Sequence, residues 1–153
     1  MKKFKYINLL IVFFILVSCG YSPLYKDLSN TNFSIIINKI DGDRTINNLF
    51  KSNLVNYNLN DSEENYNIEI NTEYLKNIIA KDTTGAATEY KLTINAYFKV
   101  NSKDYESEFV FKESFNMKSI SDKLEEQDYE ENIKSNLVNI IAKKLILKLS
   151  LVK

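Results

Sequence analysis

The residue types that most often carry chemistry are scarce in this sequence of 153 residues. It contains one cysteine, Cys19, and no histidine. A histidine triad or a histidine-bearing zinc site is therefore excluded, and a single thiol has no disulfide partner within the chain. Adjacent carboxylates lie in polar stretches, where a solvated surface explains them better than an acid–base dyad: Glu63-Glu64, Glu125-Glu126 and Glu130-Glu131. The sequence predicts no enzyme, no cofactor and no metal site.

The cysteine follows a segment with the features of a bacterial export signal. The first five residues carry three lysines, residues 7–17 are almost wholly apolar, and the order Leu16-Val17-Ser18-Cys19 resembles the lipobox of bacterial lipoproteins. The apolar run is shorter than the roughly 20 residues that a spanning helix needs. We therefore predict a lipoprotein signal peptide at 1–18, acylation of Cys19, and a lipidated tether at 19–32. An ordinary signal peptide with an incidental cysteine and an uncleaved anchor are the alternatives.

The residue after the cysteine and the net charge bear on location and partners. By resemblance to bacterial lipoproteins, an aspartate after the acylated cysteine favours the inner membrane, so Gly20 predicts the periplasmic side of the outer membrane. Two or three acyl chains hold a protein stably on a membrane. Beyond residue 18 the chain has 17 basic and 20 acidic residues, a net charge of −3. This charge gives no electrostatic reason to bind nucleic acid.

Hydrophobic periodicity divides the rest of the chain into elements. Residues 33–40 are rich in β-branched side chains and predict a strand, followed by a turn at Asp41-Gly42-Asp43. Thr45 is placed to cap a helix, because apolar residues recur after it at helical spacing. The predicted stripe of this helix is Ile46, Leu49, Phe50, Leu54 and Tyr57.

Three long strands and a second helix follow. Residues 66–74 alternate strictly between two faces, and the pattern resumes at 90–100 and 105–115, with an expected loop at 77–88 and a turn at 101–104. Asp122 and Glu125 resemble a capping pair at the start of the last helix. Its predicted stripe is Tyr129, Ile133, Leu137, Ile140, Ile141, Leu145 and Leu149.

These elements predict one α+β domain at 33–153, in the order β-α-β-β-β-α. Two helices packed on one face of a four-stranded, mostly antiparallel sheet is the simplest two-layer arrangement. We expect the helices to cover the face that carries Ile68, Ile70, Leu92, Ile94, Phe109 and Phe111.

The start of the predicted mature chain, Cys19-Gly20-Tyr21-Ser22-Pro23-Leu24-Tyr25, resembles the amino terminus of the LPS-assembly lipoprotein LptE family. The predicted order of elements and the long last helix agree with that resemblance. It implies a partner, the outer-membrane β-barrel LptD, which the lipoprotein plugs and helps to assemble so that lipopolysaccharide reaches the outer leaflet. It implies neither catalysis nor a cofactor. The alternatives are an accessory or pilot lipoprotein of another outer-membrane machine, and a structural lipoprotein.

Contact residues are expected in the loop at 77–88, because a connection this long between two strands often carries binding. Its small and polar centre suits close approach to a barrel wall, and lysine is a point charge that a lipopolysaccharide phosphate could meet. On the next strand, Tyr97 lies opposite the apolar set. The candidate contact residues are Lys81, Thr83, Thr84, Gly85, Lys91 and Tyr97. The alternative for the loop is a flexible, solvated hairpin tip.

Overall fold

The computed structural model describes residues 33–58 and 62–152. The predicted signal peptide at 1–18 and the tether at 19–32 lie outside these residues, and Cys19 with them. Neither helix of the described part is both long and apolar enough to cross a bilayer.

The order β-α-β-β-β-α and the α+β class are confirmed. The elements are β1 (Phe33–Gly42), α1 (Arg44–Leu54) with a 3₁₀ turn (Val55–Tyr57), β2 (Glu64–Lys81), β3 (Ala87–Asn101), β4 (Glu106–Lys118) and α2 (Lys123–Ser150). The four strands form one sheet in the order β1-β2-β3-β4. β1 pairs with β2 in parallel, and the other two pairs are antiparallel. The sheet is therefore mostly antiparallel, as predicted.

One face of the sheet is covered by both helices. The strands place alternate residues on this face, so that Ile68, Leu92 and Ile94 are fully buried. Phe50 of α1 packs edge-on against Phe98 of β3, with 5.5 Å between the ring centroids and 80° between the ring planes. Phe109 and Phe111 lie on the same face at the sheet edge and are only half-buried. The predicted face is thus confirmed, and its β4 end is less covered than its centre.

The crossing from β1 to α1 depends on Gly42. Its φ of +103° is in the left-handed region, and a Cβ there would lie 1.9 Å from the carbonyl oxygen of Thr72. Only glycine fits at this point. Behind it, the Thr72 hydroxyl donates to the buried Asn47 side chain at 2.7 Å, which ties α1 to β2.

The predicted N-cap of α1 is wrong by two residues. Asp43, not Thr45, is the N-cap, and its carboxylate accepts from the backbone N–H of Ile46 at 2.9 Å. Both residue types cap helices well. Asp43 is the N-cap because the chain turns at Gly42, immediately before it.

Asp122 caps α2, as predicted, and accepts from the backbone N–H groups of Leu124 and Glu125. The carboxylate that accepts hydrogen bonds from residues before the helix belongs to Glu126 rather than to the predicted Glu125. Glu126 is buried and accepts from the Ser119 hydroxyl at 2.8 Å and from the Ile120 N–H at 2.9 Å.

The buried stripe of α2 also differs from the predicted one. Tyr129 and Ile140 are exposed, whereas Val138, Ala142 and Ile146 are buried. The helix packs against α1 as well as against the sheet, so it buries a wider stripe than one that covers the sheet alone.

Candidate functional site

The structure separates the six candidate contact residues into two places. Lys81, Thr83, Thr84 and Gly85 lie at the tip of the β2–β3 hairpin, and Lys91 and Tyr97 lie on the uncovered face of β3. Along the strand, Lys91 and Tyr97 are about 20 Å apart at roughly 3.3 Å per residue. No single pocket holds all six.

The predicted loop at 77–88 is wrong in its bounds. β2 continues to Lys81 and β3 begins at Ala87, which leaves a connection of ordinary hairpin length. Ile78 still pairs with Tyr90, and register shifts on either side of Ala80 absorb the irregular spacing. Ile78 and Ile79 are β-branched and continue the strand, although their apolar side chains no longer follow the alternation of the preceding residues. A bulge of this kind leaves no periodic signal in the sequence.

The tip of the hairpin is a hydrogen-bonded turn built around Asp82. Its carboxylate accepts from the Thr84 hydroxyl at 2.6 Å, the Thr84 N–H at 2.8 Å and the Ala86 N–H at 3.0 Å. The side-chain bond from Thr84 leads these contacts in lowering the pKa of Asp82. Gly85 has a φ of +88° and open space around it. The turn is internally hydrogen-bonded, and its residues are exposed.

The two candidate lysines are free to meet a partner. Lys81 and Lys91 are both exposed, and within the described ranges neither takes part in an ion pair. The carboxylate of Asp82, which is the neighbour of Lys81, is instead occupied by the turn. Both ammonium groups therefore remain available as point charges.

The hairpin end also exposes aliphatic side chains that sequence reasoning did not single out. Leu75, Ile78 and Ile79 are all exposed, Ile78 at 51%. Ile78 lies at the β2 end of a cross-strand row that runs through Tyr90 to the fully buried Met117 of β4. The exposure of the aliphatic side chains depends on where α2 begins, which the strand sequence does not reveal. The end of the hairpin thus combines apolar side chains with two unpaired lysines.

Tyr97 lies on the uncovered face, as its position opposite the apolar set predicted. It is 48% exposed and stands between Asn71 of β2 and Val110 of β4 in the strand register. The three residues belong to a shallow groove of about 310 Å³, whose charged lining residues are Lys39, Asp41, Glu69, Lys99 and Glu108. Val110, exposed at 64%, was not predicted as a contact residue. Tyr97 is therefore placed to touch a partner that lies across the sheet.

A charged cluster fastens the base of the hairpin to α2. Glu130 accepts from the Tyr74 hydroxyl at 2.7 Å and pairs with Lys76 at 2.6 Å and with Lys134 at 2.8 Å. Lys134 lies 4.4 Å from the centroid of the Tyr74 ring, and Lys76 lies 4.3 Å from that of Tyr90. These contacts join β2, β3 and the first turns of α2.

The ionisation of this cluster follows from its contacts. Burial by itself would raise the pKa of Glu130, but the hydrogen bonds from Lys134, Lys76 and Tyr74 outweigh it and lower the pKa to about 2. Burial likewise opposes the charged form of Lys76, and its bond to Glu130 prevails, so the pKa of that ammonium is raised. Burial and the bond to Glu130 both raise the pKa of Tyr74. The cluster is a set of mutually satisfied charges that holds the hairpin in place.

The buried polar groups of the described residues are bonded within the domain. Every buried side-chain nitrogen and oxygen in those ranges has a hydrogen-bond partner. The same ranges contain no group of three or more metal-ligating side chains. What the arrangement offers is surface: an apolar and cationic hairpin end, and a mixed polar face centred on Tyr97.

Neither a protein-family model nor a curated protein matches the sequence. Among the solved structures that share its fold are two lipoproteins. Rare lipoprotein B from Shewanella oneidensis superimposes with a TM-score of 0.55 at 13% identity, over 74% of this chain and 94% of that chain. The uncharacterized lipoprotein B from Nitrosomonas europaea gives a TM-score of 0.52 at 11% identity, over 78% of this chain and 85% of that chain.

At these identities the likeness is one of fold. The protein has a fold found in bacterial lipoproteins. Both similar structures are lipoproteins by name, and each is covered over most of its length.

Proposed function

We propose that this protein is an outer-membrane lipoprotein of the LptE type. In this proposal, an acylated Cys19 anchors it on the periplasmic side, and its domain contacts the β-barrel LptD and assists delivery of lipopolysaccharide to the outer leaflet. The observation that carries the proposal is the shared fold with rare lipoprotein B, which extends over 94% of that chain. The sequence independently supplies the lipobox-like Leu16-Val17-Ser18-Cys19 in front of such a domain.

The role is one of contact rather than catalysis. The interacting charges of the described domain hold its elements together, as Glu130 does with Lys76 and Lys134. A large outer-membrane barrel has a polar interior, and the uncovered sheet face offers polar side chains such as Asn71 and Glu73 to such a wall.

The hairpin end is the part best placed to reach a partner. β2 spans 18 residues, about 60 Å at roughly 3.3 Å per residue. β1 pairs in parallel with the first half of β2, so Phe33, where the chain enters the sheet, lies next to Glu64 at the opposite end from the tip. A contact at Lys81 is therefore far from the point where the tether joins the domain.

The anchor is tested on the isolated lipoprotein. Mass spectrometry of the mature amino terminus should show a diacylated or triacylated Cys19, and a product that retains residues 1–18 would contradict the proposal. Cys19→Ala should leave the domain folded but remove it from the outer membrane, because the core of the described domain is formed by residues from Phe33 onward.

The partner is tested by photo-crosslinking in intact cells. A photoreactive residue at each position of 79–88 should give adducts to LptD or to lipopolysaccharide. Matched positions on the exposed side of α2, at Ile140 and Lys143, serve as controls. Adducts from the helix alone would remove the hairpin from the proposal.

A pull-down through a carboxyl-terminal tag separates the proposal from its alternatives. Recovery of LptD supports it. Recovery of a secretin or of a different barrel instead would favour a pilot or accessory lipoprotein, and recovery of no membrane protein would favour a structural one.

A further inference from the structure

The two edges of the sheet differ in how they are protected from another strand. An edge strand presents unpaired N–H and C=O groups, and proteins often blunt it with a bulge, a proline or a short length. β1 has a register shift between Ile37 and Lys39. β4 is 13 residues long, pairs with β3 without a register shift, and contains no proline. Among residues 33–58 and 62–152, no strand lies along its outer side.

The centre of β4 is the least covered part of that edge. Val110 is exposed at 64% on the open face, while Phe109 and Phe111 are half-buried on the helix-covered face. Aromatic and β-branched residues in this arrangement are typical of strands that gain from a cross-strand neighbour.

The charges that flank this centre have opposite signs and no ionic partner within the described ranges. Glu108 lies opposite Lys99 in the register, but the ammonium of Lys99 pairs with Glu106 instead, at 3.3 Å. Lys112 lies opposite Asn95. Glu108 and Lys112 are two residues to either side of Val110, on the same face.

We infer that β4 pairs antiparallel with β4 of a second copy of this chain, with Val110 on the two-fold axis. In this register Val110 faces Val110, Phe109 faces Phe111, and Glu108 faces Lys112 of the other copy, the last two pairs occurring twice. Opposed side chains of an antiparallel pair lie on the same face and close together. The two sheets join into one of eight strands, with both helix layers on the same side.

The charges also select this register over its neighbours. A lysine on an edge strand ordinarily opposes pairing with another copy. Shifting the axis by two residues would indeed set Glu108 against Glu108, or Lys112 against Lys112. Only the register centred on Val110 joins the two opposite charges and both phenylalanines at once. The pattern fits a second copy because each residue finds its complement within the same strand.

This inference goes beyond the proposed function and needs neither acylation of Cys19 nor LptD. It is tested on the full chain in detergent, with cysteine placed on β4 and a short bismaleimide as crosslinker. Val110→Cys should give a covalent dimer, because each thiol directly faces its own copy. Ser114→Cys, on the same strand and face, is the control, since its own copy would be about 26 Å away along the strands. The unmodified chain, with Cys19 alone, gives the background.

Two further experiments test the register: crosslinking between two different cysteine variants, and reversal of the charges on β4. A mixture of Glu106→Cys and Ser114→Cys chains should crosslink to each other, because those positions face one another. Lys112→Glu should weaken the dimer about tenfold, since two attractive cross-strand pairs become repulsive. The double exchange Glu108→Lys with Lys112→Glu should restore dimerisation, measured as mass by analytical ultracentrifugation.

Three outcomes would overturn the inference. Equal crosslinking at Val110→Cys and Ser114→Cys would indicate random encounter, and a monomeric mass at every concentration would exclude the dimer. Crosslinking of Val110→Cys in intact cells to a different protein, without self-crosslinking, would assign the edge to a strand of another partner.

Discussion

The two faces of β3 differ sharply in how far their side chains are buried. Phe98 points to the covered face and is 1% exposed, whereas its neighbour Tyr97 points to the other face and is 48% exposed. On the covered side, side chains from β2, β3 and both helices interlock. On the open side, the half-buried Asn95 donates from its side-chain amide to the exposed carboxylate of Glu73 at 2.7 Å.

This difference indicates that the covered face supplies most of the folding free energy, whereas the open face is available for contact with a partner. Apolar burial contributes about 25 cal/mol per Å² removed from water, and nearly all of it lies between the helices and one sheet face. The open face carries little of the folding free energy. It is therefore free to change without unfolding the domain. Substitutions in four regions test this division, from the largest expected effect to the smallest.

The largest effect is expected at the crossing between the layers. Gly42→Ala would place a Cβ 1.9 Å from the Thr72 carbonyl oxygen at a φ of +103°, so β1 and α1 must shift. We expect a loss on the order of 4 kcal/mol or more in the free energy of unfolding, measured by urea denaturation. Gly85→Ala is the control, because it has a similar φ but open space, and should lose only about 1–2 kcal/mol. Equal losses at the two glycines would mean that the clash is relieved.

The next largest effect belongs to the covered face. Phe98→Ala removes a fully buried ring that packs against Phe50, and should cost about 3–5 kcal/mol. Ile94→Ala and Leu137→Ala should each cost roughly 2–5 kcal/mol for the same reason. Thermal or urea unfolding measures these changes. Losses below about 0.5 kcal/mol at all three positions would show that this face is not the core.

An intermediate effect is expected where the hairpin is fastened to α2. Glu130→Gln weakens the bonds to Lys76, Lys134 and Tyr74 and should cost about 1–3 kcal/mol at neutral pH. Because the pKa of Glu130 is lowered from 4.5 to about 2, its charge stabilises the fold above pH 4.5, and this contribution is lost as the pH falls from there towards 2.

The pH dependence gives the sharper comparison. The unfolding free energy of the unmodified protein should fall more steeply between pH 5 and pH 2.5 than that of the Glu130→Gln variant. Glu131→Gln, at the exposed neighbouring position, is the control and should follow the unmodified protein. Parallel curves for all three proteins would contradict the lowered pKa of Glu130.

The smallest effect on stability is expected on the open face. Tyr97→Ala removes an aromatic ring of similar size to that of Phe98 from the adjacent position, yet should change the unfolding free energy by less than about 0.5 kcal/mol. Its effect should appear instead in the recovery of a partner by pull-down. A loss above about 2 kcal/mol would mean that Tyr97 contributes to packing.

The division between the faces could be predicted because it repeats at every second residue. Residues 66–74 and 90–100 alternate between two faces, so most of the buried residues of β2 and β3 followed from the sequence. Thr93, which is buried on the opposite face, did not. The end of the β2–β3 hairpin did not, because the register shifts around Ala80 break the alternation while the strands continue to pair. The internal bonding of the turn at Asp82 is equally invisible to periodicity.

The predicted N-cap of α1 and the predicted buried stripe of α2 were wrong for a different reason. Thr45 and Asp43 are both good caps, and the choice depends on the turn at Gly42. Whether Tyr129 or Val138 is buried on α2 depends on how that helix lies against α1 and the sheet, which is a tertiary property. For the contact residues, sequence predicted the exposure of Tyr97 but not of Val110, because β4 gives no sign that it lies at an edge.

The parallel pairing of β1 with β2 has a consequence for how the chain folds. β2, β3 and β4 are joined by short turns and can assemble locally, whereas Phe33 and its partner Glu64 are about thirty residues apart, and contacts of that separation form more slowly than local hairpins. As the chain is synthesised, β1 emerges before β2, which is its partner in the described sheet. An aliphatic strand, with Ile35, Ile36 and Ile37 in succession, is left without a partner throughout that interval. Chaperones that shield extended apolar segments would act on the growing chain chiefly at β1, and slowing synthesis between residues 42 and 64 should lengthen its dependence on them.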